Sequence, residues 1–252
     1  MAASFSTLGR VDGIRDLCAA AFVPAAPLLV PAVASGAATE LDTVRDACRR
    51  AVGRLGAAGA DTIVMLADGP VDHSYPPGAA GALAGFGVDV RVGAGEPVLP
   101  PRLTVLRWLL EDAGWAGPVL ARTVGPGSPA AGNGLAPVPT GRWAALVHVE
   151  GSARGSAQAP GYLDPRADGY DARLAAAIAA ADTGLLAGWD TALAGALLAP
   201  GAWSLRRLAA AVASVDRPGA WAGRLVTAQA PYGVGYLVVV WERQAVVMVP
   251  GS

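Results

Sequence analysis

The apolar positions of the chain change rhythm in a way that sorts it into strands and helices. Leu17–Val23 is a run of small and apolar residues that stops at Pro24, and it predicts a first strand leading into a proline loop. From Thr39 the pattern changes period. Leu41, Val44, Cys48, Val52 and Leu55 recur at steps of three and four, which predicts an amphipathic helix. Thr39 is placed to cap it, Glu40 and Asp42 suit its first turn, and Gly56 and Gly59 end it. Thr62–Ala67 is a short, continuously apolar run, the signature of a buried parallel strand.

The remaining elements follow from the same reading. Asp68–Gly81 is a Gly/Pro-rich loop, and Val88–Val92 alternates as a strand does. Leu103, Leu106, Leu109 and Leu110 outline a helix, Val119–Val124 a strand, and Gly125–Gly141 a proline-rich loop expected to be the most mobile internal segment. Trp143–Val149 predicts a central strand. Helices are expected over Tyr170–Ala181 (with Asp168 near its start), Thr183–Leu198 and Ser204–Val215. Strands are expected at Leu225–Thr227, Leu237–Trp241 and Ala245–Val249, the last two joined by a turn at Glu242. Strand–helix–strand order of this kind predicts an α/β fold: a single domain, with a central, mostly parallel sheet flanked by helices. Residues 1–16 read as a tail and 17–252 as the domain.

Composition narrows the function classes. At 252 residues, with 53% hydrophobic and 15% charged positions, the chain can bury a sizeable core. All 19 basic residues are arginine, and the net charge is −1 with no basic cluster, so nucleic-acid binding is not expected. The uncharged stretch from Leu17 to Thr39 follows Arg10 and Arg15 and imitates a signal peptide. Pro24, Pro27 and Pro31 interrupt it, and Asp12 and Asp16 spoil the basic leader, so a cytoplasmic protein is expected, with no membrane span. Cys18 and Cys48 lack metal spacing; both are expected as buried thiols rather than a disulfide.

Only two histidines are available for chemistry, His73 and His148. Period-two alternation puts Leu146, His148 and Glu150 on one strand face. His148 and Glu150 with His73, from the loop after the second strand, would make up a two-histidine, one-carboxylate metal site. The alternative is a loop histidine on the surface, and a strand histidine packed beside a satisfied carboxylate. Ser152 with His148 does not suggest a nucleophile–base pair, because four residues of strand separate them by roughly 13 Å. Gly233 and Gly235 precede no helix, so they do not form a phosphate loop.

Three segments carry a family resemblance: Phe22-Val-Pro-Ala-Ala-Pro-Leu-Leu-Val-Pro31, Glu150-Gly-Ser-Ala-Arg-Gly-Ser-Ala-Gln-Ala-Pro-Gly-Tyr-Leu-Asp164 and Ala228-Gln-Ala-Pro-Tyr-Gly-Val-Gly-Tyr-Leu-Val-Val-Val-Trp241. They resemble the LigB-like proteins of the class III extradiol ring-cleavage dioxygenase superfamily, in an actinobacterial branch. The resemblance runs from about Ala19 to Trp241 and implies a LigB-like fold. It also implies a non-heme iron(II) site of two histidines and a glutamate, with a further acid–base histidine. Matched onto this chain, the first ligand position is Ala25, the glutamate position is Gln229 and the acid–base position is Ala153. Alanine offers iron no donor, and a neutral amide is a poor substitute for a carboxylate.

The expectation is therefore a catalytically degenerate member without a cofactor, keeping a crevice for a small aromatic or anionic ligand. Ser152, Arg154, Tyr162, Tyr232 and Tyr236 are candidates to line it. One alternative is an active iron(II)-dependent oxidoreductase acting on aromatic diols through His73, His148 and Glu150, or through Asp68 or Asp72. The other is an interaction or scaffold component of a homo-oligomer.

Overall fold

A computed structural model describes residues 11–126, 135 and 138–244. A 3-10 turn, Val11–Asp16, leads into β1 (Leu17–Val23). Short turns, including α1 (Pro31–Ala34), then precede α2 (Asp42–Ala57). Next come β2 (Thr62–Asp68), the two-residue strands β3 (His73–Ser74), β4 (Gly81–Ala82) and β5 (Arg91–Val92), α3 (Pro101–Asp112) and β6 (Val119–Val124). The second half holds β7 (Trp143–His148), α4 (Ala167–Ala179), α5 (Thr183–Ala187), α6 (Thr191–Ala196), α7 (Ala202–Ala213), β8 (Trp221–Gln229) and β9 (Tyr236–Arg243).

Seven strands form one sheet in the order β3-β6-β2-β7-β1-β9-β8. The four central strands, β6, β2, β7 and β1, are parallel; β3, β9 and β8 add antiparallel edges. The sheet is thus mostly parallel with helices on both faces, and the carboxyl ends of β1, β2 and β7 open at one end, where ligands of open α/β sheets bind.

Alternation along the strands divides the core in two. Ala19, Ala21 and Val23 of β1, Met65 of β2 and Leu146 of β7 pack with Val44, Cys48, Leu55, Leu103 and Leu106 of α2 and α3. Ala20, Phe22, Leu66, Trp143, Val147 and Trp241 face the other way, onto Leu174, Ile178, Leu205 and Leu208 of α4 and α7. Each fully buried large side chain contributes about 1.5–3 kcal/mol relative to exposure. The central strands read as unbroken apolar runs because both of their faces are covered.

Several elements depart from expectation. Ile14 is buried in the second core and the Trp143 indole donates to Gly13 O, so the end of the expected tail packs against the domain at Gly13 and Ile14. Helix α2 starts at Asp42, after a 3-10 segment, and no side chain caps it. The helix expected over Thr183–Leu198 is two short ones. Asp190 accepts from the Ala192 and Leu193 amides and so starts α6, breaking the run. Of Val88–Val92 only Arg91–Val92 is strand, paired with β4. β8 is far longer than its apolar core because it pairs with β9 along its whole length, and β9 continues through Glu242 and Arg243, where a turn was expected. The expected strand 245–249 and most of the loop 125–141 lie outside the described residues.

Both cysteines are free and buried. Among the described residues no helix is long and apolar enough to cross a membrane.

Candidate functional site

Two regions at and beside the carboxyl end of the sheet gather the residues that the motifs marked. The first lies where β1 and β7 end. His148 closes β7 and is fully buried. Being two residues on from Leu146, it faces the α2/α3 side, and Glu150 follows on that side. The Ala25 amide donates to Glu150 Oε1 at 2.9 Å, and His148 Nε2 lies 3.4 Å from the same oxygen, outside hydrogen-bonding geometry. Neither ring nitrogen of His148 has a hydrogen-bond partner among the described residues. Burial opposes ionisation of Glu150 most strongly. The imidazole, the Ala25 amide and the charge of Arg102 outweigh it and hold the carboxyl below its ordinary range. Ala25 itself is buried.

His73 does not join this pair. It sits exposed on edge strand β3, its ring edge-on to Tyr75. Its transverse row runs through Thr123 and Ala67 to the level of His148, since Leu66 pairs with Val147 one step earlier. Three strand spacings separate the two imidazoles, roughly 14 Å. Asp72 and Asp68 are engaged elsewhere. Asp72 accepts from the Gly125 amide and pairs with Arg207. Asp68 accepts from the amides of Gly201, Trp203 and Ser204 and from the Ser204 hydroxyl, holding the start of α7. Among the described residues no three His, Cys, Asp or Glu side chains group as metal ligands. One imidazole and one carboxylate meet, and Ala25 presents a methyl and an N–H, so the residues here do not fit the iron centre that the resemblance implies.

The second region is where the two glycine-bearing motifs meet. The Gly151 amide donates to Gly235 O (2.7 Å), Gly235 to Ser152 O (2.8 Å) and Gly155 to Gly233 O (3.0 Å), so the loops after β7 and before β9 are zipped together. Against this seam lies Asp171 of α4, whose Oδ1 accepts from the Ser152 amide at 2.6 Å. A Cβ on Gly151 would come 2.7 Å from that oxygen, and one on Gly235 would overlap Asp171 Oδ2. Glycine is required at both positions by this close approach. A cleft of about 300 Å³ opens here, lined by Asp168, Asp171, Gln229, Tyr236 and a wall of alanines. Burial pushes the Asp171 carboxyl up to about 6; the Ser152 amide only partly offsets this, and the nearby charge of Asp168 adds to it. Burial likewise raises the Tyr236 phenol, with the Glu150 charge adding.

The other candidates are consumed by the fold. Ser152 Oγ donates to Leu197 O and accepts from the Arg154 amide, and the Arg154 guanidinium donates to Gly161 O and Ala196 O. The Tyr232 hydroxyl donates to Glu40 at 2.6 Å, and Tyr162 is exposed. Ala153 holds the same loop through backbone bonds with Leu197 and Gly161. Gln229 donates to Thr227 Oγ1 and lines the cleft. A further cleft of about 260 Å³ at the end of β2 is lined by Asp68, Arg102, Trp203 and apolar residues of α6 and the loop after it.

Asp171 is the residue that sequence reasoning passed over. Its one signal is a carboxylate in the first half of a helix that follows the Glu150–Asp164 segment, and nothing in periodicity marks it as different from Asp168. No protein-family model matches the chain, and no curated protein matches it in sequence.

Proposed function

We propose that the chain is a LigB-like protein that does not open aromatic rings and instead binds a small molecule in the cleft beside Asp171. The carrying observation is the convergence of the Glu150–Ser152 and Tyr232–Tyr236 segments on one helical carboxylate at the edge of that cleft. Loss of ring-opening chemistry is supported by the donor set: Ala25 stands at the first ligand position, with its amide satisfied by Glu150. His73 is held three strands away from His148. Two free, buried thiols agree with a cytoplasmic location.

The test pairs an activity with a binding measurement. Protein loaded anaerobically with iron(II) and then transferred to air-saturated buffer with catechol or protocatechuate is expected to consume no oxygen above the free-metal control, and calorimetry is expected to find no stoichiometric iron(II) site. Ring-opened product formed in proportion to protein would contradict the proposal.

One observation favours a second reading. The cleft at the end of β2 has Arg102 as its cation and Trp203 in its lining, and its one carboxylate, Asp68, is taken up by the Gly201, Trp203 and Ser204 amides and the Ser204 hydroxyl, a lining suited to a small aromatic anion. Phenylacetate binding that is lost in Arg102→Ala would support it.

A further inference from the structure

Charge is what separates the Asp171 cleft from its surroundings. Two carboxylates line it and no arginine or histidine does. Asp168 and Asp171 stand three residues apart on α4 and so share a helix face. Asp168 is exposed, at the mouth; Asp171 is half-buried, against the glycine seam. Among the described residues no cation pairs with Asp171, and the charges acting on it raise its proton affinity rather than lower it. The arginine that α4 does carry, Arg173, lies over the Trp189 ring, 5.6 Å from its centroid. Such a site leaves a carboxylate pinned by its neighbours with an unmet demand for positive charge. The rest of the lining includes the Gln229 amide and Tyr236, together with Leu237 and alanines that suit a slim apolar body. The volume is at the small end of ligand pockets.

We infer that this cleft takes a small organic ammonium ion, its charged nitrogen on Asp171 and its apolar part along the alanine wall between α4 and β8. The inference rests on the cleft being the binding site proposed above, and it names the ligand class of that site. It reverses the expectation of an anionic ligand there, because a carboxylate brought to this lining would face two others without a countercharge. The nitrogen binds as the ion, with no covalent step. Asp171 accepts its hydrogen bond in the ionised form. The other titratable groups on the cleft are Asp168, on α4 itself, and Tyr236 of β9, while β8 contributes Ala228 and Gln229.

The experiment compares three probes of nearly equal shape on the full chain: 2-phenylethylammonium, 2-phenylethanol and phenylacetate. Binding is read by calorimetry and by the amide shifts of Gly151, Ser152 and Gly235. The ammonium probe is expected to move those amides. It should bind about tenfold more weakly to Asp171→Asn, and about tenfold more weakly at pH 5 than at pH 7.5, as a carboxyl titrating near 6 takes up its proton. Asp168→Asn, at the exposed mouth, should weaken it a few-fold and serves if the first variant does not fold. Phenylacetate or phenylethanol moving the same amides as strongly as the amine would overturn the charge assignment and leave the cleft standing as a ligand site. So would binding of the amine that Asp171→Asn and Asp168→Asn leave unchanged. Calcium or magnesium moving the amides where the amine does not would overturn it too, making the cleft an inorganic cation site. No movement of those amides with any probe would overturn both the ligand class and the site.

Discussion

Glu150 and Asp171 are carboxylates held on either side of one short loop, and the molecule treats them in opposite ways. Glu150 is sealed beneath the ends of β1 and β7, yet it has the Ala25 amide, the His148 ring and the field of Arg102, and its carboxyl is held below the ordinary range. Asp171 is less deeply buried but has one amide and, among the described residues, no cation, and its carboxyl is pushed up to about 6. The comparison teaches that burial alone does not decide the state of an acid; the partners brought to it do. On the sealed side the partners go to the Glu150 carboxylate, which accepts from the Ala25 amide. The region left without a countercharge is where a ligand has something to add.

The largest effect is expected on the sealed side. Glu150→Ala removes the acceptor of the Ala25 amide and the carboxylate beside the His148 ring, and should destabilise the fold by about 3 kcal/mol in chemical denaturation. Glu150→Gln keeps an acceptor oxygen and should cost less than half as much. Equal losses for the two would mean that the amide bond is not what matters there.

Gly235→Ala comes next, at about 2–3 kcal/mol, because the added methyl meets Asp171 and lies 2.9 Å from Gly151 Cα. In an Asp171→Ala background about 1 kcal/mol of that loss should return, since one of the two obstacles is gone. Strict additivity would show that the glycine seam and the carboxylate are independent.

Asp171→Asn should do the reverse and stabilise the protein at pH 7.5 by about 1–2 kcal/mol, with the Ser152 amide still accepted. The sign follows from linkage. Between the ordinary value of 3.8 and about 6 the folded state holds the proton that the unfolded state has released, so stability falls as pH rises through that window. The variant should lose this slope. Glu150 acts oppositely: with its folded value below the ordinary 4.5, its contribution is present above that pH and is lost on further acidification, and Glu150→Gln should remove that loss.

His73→Ala, on an exposed edge strand, should change stability by less than about 0.5 kcal/mol and leave metal affinity at the level of the unmodified protein. A fall in iron(II) or zinc affinity in this variant would reinstate the three-residue site.

The sheet was largely legible because its central strands are covered on both faces, and continuous runs such as Leu17–Val23 and Trp143–His148 have few other uses. The edges were not. β8 contains Gly223, Arg224 and Thr227, and it is a strand because β9 supplies its ladder, which no local pattern records. Asp190 capping α6 was readable in principle as an Asp before a helical run, and the alanine-rich stretch around it hid the break. The pairing of His148 with Glu150 on one face came directly from alternation. Exclusion of His73 needed the strand order, because sequence distance says nothing about which strand lies between two others. Asp171 was invisible for a related reason: its significance lies in Gly151 and Gly235 arriving from two remote loops.

Carbon-13 detection of the side-chain carboxyl resonances across pH, assigned through Asp171→Asn and Glu150→Gln, tests the opposition of the two acids most directly. Asp171 is expected to titrate near 6, and Glu150 below 4.5. An Asp171 midpoint close to the ordinary 3.8 would mean that the cleft already satisfies its carboxylate, and the account of an unmet charge beside the glycine seam would fail.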